Sequence, residues 1–213
     1  MENNNAKENK REVVIQAPNL ETIRFGLVGI SPLVISRFSQ KAMNMMIEKH
    51  KQGSVAKKGK KREARDFNED YKNAFHKSTE GWNGVSASAF RNALISACRI
   101  CGFKMTQAKL AVFIVADGVD EVDGLPLVKI NGKPRQHTMY VRNETGVCDI
   151  RVRPMWTEWN IDLNVRYDAD LFSAQDISNL LMRAGMQVGI GEGRPDSRES
   201  AGLGWGIFKI KDK

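Results

Sequence analysis

No apolar run in this 213-residue chain approaches the ~20 residues needed to cross a bilayer, so no membrane span is expected. Cysteine is scarce. Cys98, Cys101 and Cys148 are odd in number and do not make a disulfide framework. The N-terminal stretch MENNNAKENKREVV lacks the apolar core of a secretory leader, and with the sparse cysteine it predicts a cytoplasmic protein. Recognisable catalytic patterns are missing too. There is no Ser-His-Asp order, no paired-carboxylate spacing and no glycine loop bearing a P-loop lysine, so a binding protein is expected rather than an enzyme. No cofactor or metal is expected. Cys98 and Cys101 lie three apart with only Cys148, His50, His76 and His137 to complete a site, and they read as core residues.

Acid is nearly absent between Lys49 and Arg65, where eight basic residues face the single acid Glu63 for a local charge of +7, against a formal charge of +8 for the whole chain. With Gly53, Ser54 and Gly59 and few apolar residues, this stretch reads as a mobile basic loop on a nearly neutral body. Nucleic acid is the matching polyanion. A solvated loop without a partner is the plainer alternative.

A flexible tail is expected over residues 1–18, ahead of a single domain over 19–213. Leu20 to Val28 alternates as a strand, and Gly29 and Pro32 end it. A helix follows from about Gln40 to Lys49, whose Met43, Met45 and Met46 read as packing residues. Phe67, Tyr71 and Phe75 share one face of a helix predicted over Ala64–Lys77. A loop over Gly81–Val85 leads to a helix capped by Ser86 or Ser88 and closed near Gly102. Lys109 to Ala116 reads as a strand buried on both faces. Leu125–Ile130, Asn131-Gly132 and Arg135–Arg142 read as a hairpin, because Asn-Gly suits a two-residue turn. Asn160–Tyr167 is a half-buried strand, and a helix from the Ser173/Asp176 capping box runs to about Gln187. Trp205–Ile210 is the last strand. Without insertions at about 31–85 (basic and helical) and 117–158 (a hairpin), the order is βαββαβ, an α+β, ferredoxin-like or RRM-like plan.

Gly189 to Ile210 (GIGEGRPDSRESAGLGWGIFKI) places six glycines between that helix and that strand. Such density predicts positive φ or close approach of backbone. One reading is an anion-binding nest of backbone N–H groups at Gly191 and Gly193, joined by Arg194 and Arg198. The other is a structural connection whose arginines pair with Glu192, Asp196 and Glu199. Trp205 either stacks on a base or packs.

Three stretches together resemble the RAMP superfamily, CRISPR-associated RNA-binding proteins that build the backbone of effector complexes. Gly29-Ile30-Ser31-Pro32-Leu33-Val34-Ile35 is similar to the family's exit from its first strand. Ser88-Ala89-Phe90-Arg91-Asn92-Ala93-Leu94 is similar to its serine-led helix start, and Ser200-Ala201-Gly202-Leu203-Gly204-Trp205-Gly206 to its glycine-rich loop. Ser86-Ala87 replaces the usual Pro-Gly, Ala89 stands at a common second serine, and Glu192–Ser197 lengthen the loop, which places the chain nearer solitary relatives of phages and mobile elements. The resemblance implies binding of single-stranded RNA or DNA by side-by-side copies in a multimer or filament, alone or with other subunits of a ribonucleoprotein, with a hairpin intruding between bases. It also implies strand contacts at Arg37, Ser88 and Arg91. An arginine in a first helical turn opposes the dipole, which a phosphate there would justify.

Lys57, Lys58, Lys60, Lys61 and Arg62 are expected to add sequence-independent affinity. Arg135, His137, Tyr140 and Arg142 mix cations with an aromatic ring, as single-strand binders do, or serve an oligomer contact. Trp156 and Trp159 are candidates for packing between copies. Two other classes stay open: a metal-dependent ribonuclease using Asp66 or Asp70, and an interaction protein that mimics or inhibits such a complex.

Overall fold

A computed structural model describes residues 15–38, 40–52, 65–142, 146–197 and 202–211. The elements run β1 (Leu20–Gly29), β2 (Leu33–Val34), α1 (Gln40–Gln52), α2 (Phe67–Asn73), β3 (His76–Lys77), β4 (Asn83–Ser86), α3 (Ala87–Ala97) and α4 (Met105–Ala111). They continue with β5 (Val112–Val115), β6 (Gly118–Val119), β7 (Pro126–Lys129), β8 (Arg135–Arg142), β9 (Cys148–Trp156), β10 (Asn160–Asp168), α5 (Ala174–Arg183) and β11 (Phe208–Ile210). The chain is mixed α and β, and its strands form three antiparallel sheets. No helix among the described residues is long and apolar enough to cross a membrane.

The largest sheet has the order β11-β1-β10-β5. Period-two alternation divides its faces. Phe25, Leu27, Ile161, Leu163, Val165 and Phe208 are buried on one side with Phe90 and Leu94 of α3 and Ile177 and Leu181 of α5. Thr22, Arg24, Asp162 and Arg166 are exposed on the other. The Phe90 and Phe208 rings meet edge to face at 5.7 Å, fixing α3 over β11. Ser173 and Asp176 form the reciprocal capping box expected at the start of α5.

The segments 31–85 and 117–158 fold into each other. β2 pairs with β9 at Leu33↔Trp156, and β4 pairs with β7 at Val85↔Val128. The small sheets β2-β9-β8 and β3-β4-β7-β6 each take strands from both segments.

Several expectations are corrected. The helix expected over Ala64–Lys77 is the seven-residue α2, and the loop expected at Gly81–Val85 contains β4. Lys109–Ala111 ends a helix, and β5 is an edge strand with an exposed end at Val115 rather than one buried on both faces. The Asn131-Gly132 turn does not close a hairpin. Asn131 bridges to Asn160, while β8 pairs with β9 from Arg135↔Met155 to Arg142↔Cys148. The last strand starts at Phe208, not Trp205. Met43, Met45 and Met46 are exposed on α1 instead of packed. Cys98 is buried and Cys101 exposed. Trp156 and Trp159 are core residues, closed to a neighbouring copy, and the Trp159 indole N–H donates to the Ser31 carbonyl at 2.8 Å.

Candidate nucleic-acid interface

The glycines at 189, 191, 193, 202, 204 and 206 all have positive φ, as the density of this residue predicts. At Gly191 (φ +74°) a Cβ would lie 2.5 Å from the Val34 carbonyl oxygen, so the loop lies backbone to backbone on the exit of β1. The first and last sequence motifs are bonded together there. Glu192 N–H donates to Val34 O at 2.9 Å, Gly206 N–H to Pro32 O at 2.8 Å and Ile207 N–H to Ser31 Oγ at 2.9 Å.

These bonds alter the nest reading. The amides of Gly189, Ile190, Glu192, Asp196, Leu203, Trp205 and Gly206 all donate to carbonyls of the chain itself. Arg194 turns inward as well, with Nη1 donating to Gly191 O at 3.1 Å. A spent donor cannot cradle an anion, so these seven are closed to a ligand, while the Gly191 and Gly193 amides are not among them. The loop is largely an internally bonded connection. Its Asp196 accepts from Ser96 Oγ of α3 and from Arg99 Nη2, and the Ser96 bond leads the contacts that hold its carboxyl below the usual range. Arg198 lies outside the described residues.

Two clefts flank the loop. The first, about 370 Å3, runs between the loop and α3 and is lined by Ser36, His76, Ser86, Asn92, Arg194 and Asp196 among others. The second, about 460 Å3, lies between α2 and β9 and holds Arg37, Arg65, Arg151 and Arg153 with Asp70 and Asp149. Ser36 and Glu192 line both, so the two clefts adjoin at these residues and together make up one groove.

Carboxylates hold three of the four arginines in the second cleft. Arg37 reaches the fully buried Asp120 at 3.5 Å and Asp123 at 3.8 Å, and His76 Nδ1 lies 3.0 Å from the same Asp120. Arg65 bridges Asp70 at 2.5 Å and Asp149 at 3.0 Å. Arg153, almost wholly buried, pairs with Glu192 of the loop. Burial first, and Arg151 beside it second, bring the Arg153 pKa down to about 10. Arg151 is exposed and has no ion pair with the described residues.

The groove gathers some predicted residues and leaves out others. Arg37, Gly191 and Arg194 line it. Arg91 does not reach a helix N-terminus ligand. Its guanidinium donates to Val112 O at 3.0 Å and to Lys109 O, bracing the end of α4, and lies over the Phe113 ring. Ser88 bonds Ser86 Oγ at 2.7 Å, and Ser86 is the cap. The β8 residues part company. Arg135 and His137 share a face with Arg151 and Arg153 of β9, whereas Tyr140 and Arg142 lie on the opposite face with Ile150 and Cys148.

Trp205 is half-buried, packs over Gly193 and meets the His137 ring edge on at 5.3 Å, so it is not a free stacking platform. Asp66 caps α2, accepting from Asn68 N–H and Glu69 N–H, and Asp70 belongs to Arg65. Those partners account for both acids without catalysis. Lys57, Lys58, Lys60, Lys61 and Arg62 lie outside the described residues.

Arg151, Arg153 and Asp120 are not marked by the sequence as site residues, and His76 stands only among the residues that could have completed a metal site with Cys98 and Cys101. The alternation Asp149-Ile150-Arg151-Val152-Arg153 marks a strand with two arginines on one face and was the available signal. Nothing local marks the His76–Asp120 pairing, which joins residues 44 apart. No protein-family model matches the chain, and no curated protein is similar enough in sequence to count as a relative.

Proposed function

We propose that this chain binds single-stranded nucleic acid without sequence preference, through the groove beside the glycine-rich loop together with the basic segment at 57–62, and that copies assemble side by side on the strand. The observation that carries the reading is the position of Arg65. It lines the groove among Arg37, Arg151 and Arg153, and in the sequence it is the last cation of the basic stretch that begins at Lys49. A run of cations continuous in sequence with a groove that holds Arg151, unpaired among the described residues, suits the phosphate backbone of a single strand.

The frame supports the same reading. The element order β1, α3, β5, β10, α5, β11 and the strand order β11-β1-β10-β5 fit a ferredoxin-like, RRM-like core, on which the resemblance to RAMP proteins rests together with the three motifs. The open face of the large sheet carries Thr22, Arg24, Asp162 and Arg166, with little aromatic surface for bases, so the groove is the better candidate.

The test is fluorescence anisotropy with labelled single-stranded RNA and DNA of about 30 nucleotides and mixed sequence, titrated across salt. Binding to all sequences alike with a steep salt dependence is expected. Lys57, Lys58, Lys60 and Lys61 replaced together by alanine should flatten the slope of log K against log salt by about 3. If the native chain binds no oligonucleotide at low salt, the proposal falls and an interaction protein is the reading that replaces it.

A further inference from the structure

We infer that Arg153 and Arg151 form the seat of one phosphate group, and that Glu192 is a resident carboxylate which the phosphate displaces. The inference deepens the nucleic-acid reading and rests on it for the source of the phosphate. The seat itself is argued from the groove alone.

Arg153 is 4% exposed, and its Nε is buried with no hydrogen-bond partner. A guanidinium has five N–H donors in a fixed fork, and stranding one in the interior is costly. Nothing in the packing of β9 calls for a cation at this register. On its own face of the strand the next residue, Met155, is buried and apolar, and an apolar residue at 153 would avoid the penalty of burying charge. The cation is therefore there for something other than stability.

The surroundings are short of negative charge. His137, directly opposite Arg153 in the strand register, also has a buried ring nitrogen, Nδ1, without a partner. Arg151 and Arg135 lie on the same face of the two strands. Among the described residues lining this cleft, Asp70 and Asp149 are bonded to Arg65, which leaves the carboxylate of Glu192 to face these arginines. A phosphodiester offers two unesterified oxygens and matches the fork of an arginine better than the point contact of a lysine. Arg151, exposed and without an ion pair to the described residues, is placed to share it.

Glu192 is the group that must yield, and it is placed to do so. Its side chain is 29% exposed, it lines both clefts, and it is carried between Gly191 and Gly193. In the ligand-free arrangement its pairing with Arg153 ties the glycine-rich loop to the β8–β9 hairpin. A phosphate on Arg153 releases that tie, so occupation of the groove and freedom of the loop are linked.

Inorganic phosphate and chloride at matched ionic strength are the probes, with thermal melting and calorimetric titration as readouts. In chloride, Glu192→Gln melts below the native chain, because Arg153 has lost the one carboxylate that pairs with it among the described residues. Phosphate restores that loss, and Glu192→Gln binds phosphate about tenfold more tightly than the native chain, which must first displace its own carboxylate. Arg151→Gln melts normally in chloride and loses most of the phosphate response in both backgrounds.

A phosphate response of Glu192→Gln equal to or weaker than that of the native chain overturns the inference. If Glu192→Gln does not fold, the Arg151→Gln comparison in the native background decides alone: an unchanged phosphate response overturns it. The two readings fail separately. Oligonucleotide binding with no gain from Glu192→Gln sinks the seat and leaves the nucleic-acid function standing. A phosphate gain in a chain that binds no oligonucleotide does the reverse.

Discussion

Asp120, whose side chain has no exposed surface, is where β3, the β6–β7 loop and the exit of β2 are joined. It accepts from Val122 N–H at 2.9 Å and faces His76 at 3.0 Å and Arg37 at 3.5 Å. Burial alone would raise its pKa, but the Val122 amide, His76 and Arg37 together outweigh it and hold the carboxyl below its usual 3.8. Its contribution to stability is thus present at neutral pH and is lost only as pH falls through that depressed value. Asp120→Ala removes the nearer partner of Arg37, leaving it Asp123 at 3.8 Å, and breaks the buried network with His76 and Val122, which is expected to cost about 3 kcal/mol in urea unfolding. A loss below about 1 kcal/mol would mean that the network holds no more than a surface pair does. His137 shifts stability in the same direction for the opposite reason, since its charged form is the one disfavoured. Burial, then Arg153 and Arg135, lower its pKa beneath the usual 6.5, so the unfolded chain takes up the proton first. Stability is therefore expected to rise with pH between the folded value and 6.5 and to be lowest on the acid side. Melting curves across that window check it, with His137→Gln expected to flatten the profile. A profile that the substitution leaves unchanged contradicts the assignment.

Among the elements, the glycine-rich loop combines an irregular path with hydrogen bonds as regular as those of a strand. The amides of Ile190, Glu192 and Gly206 donate to Gly206 O, Val34 O and Pro32 O. Hydrogen exchange is accordingly expected to be slow at these three amides, comparable with those of β1, and fast at Tyr140 and Arg142 at the end of the hairpin. Exchange as fast in the loop as at the hairpin end would mean that the loop opens on its own. This element was half legible. Six glycines announced six positive φ values, because that requirement is local. Where the donors point depends on the Ser31–Val34 run more than 150 residues away, and composition carries no trace of it. The same division explains the hairpin. Asn131-Gly132 is a genuine turn signal, but its backbone is used in a crossing with Asn160, and the partner of β8 turned out to be the run beginning at Cys148. The stretch KLAVFIVA misled for another reason. Short apolar runs fit a helix end and a strand equally well, and here the boundary falls inside the run at Ala111.

On the scale of the whole molecule, charge was the most legible property, since +7 of the formal +8 lies between Lys49 and Arg65 and needs no fold to be counted. The gathering of arginines in the second cleft was not, because Arg37, Arg151 and Arg153 reach it from separate parts of the chain. Interleaving of the two long segments has a consequence for how the protein is made. β1 lies between β10 and β11, β2 waits for β9, and β4 waits for β7. A chain leaving the ribosome can close local pairs such as β3 with β4, yet no complete large sheet exists until Phe208–Ile210 has emerged. Contacts this distant in sequence make for slow folding. The nascent protein therefore carries its first, amphipathic strand unpaired through most of translation, which makes early termination more damaging here than the small size of the missing piece would indicate.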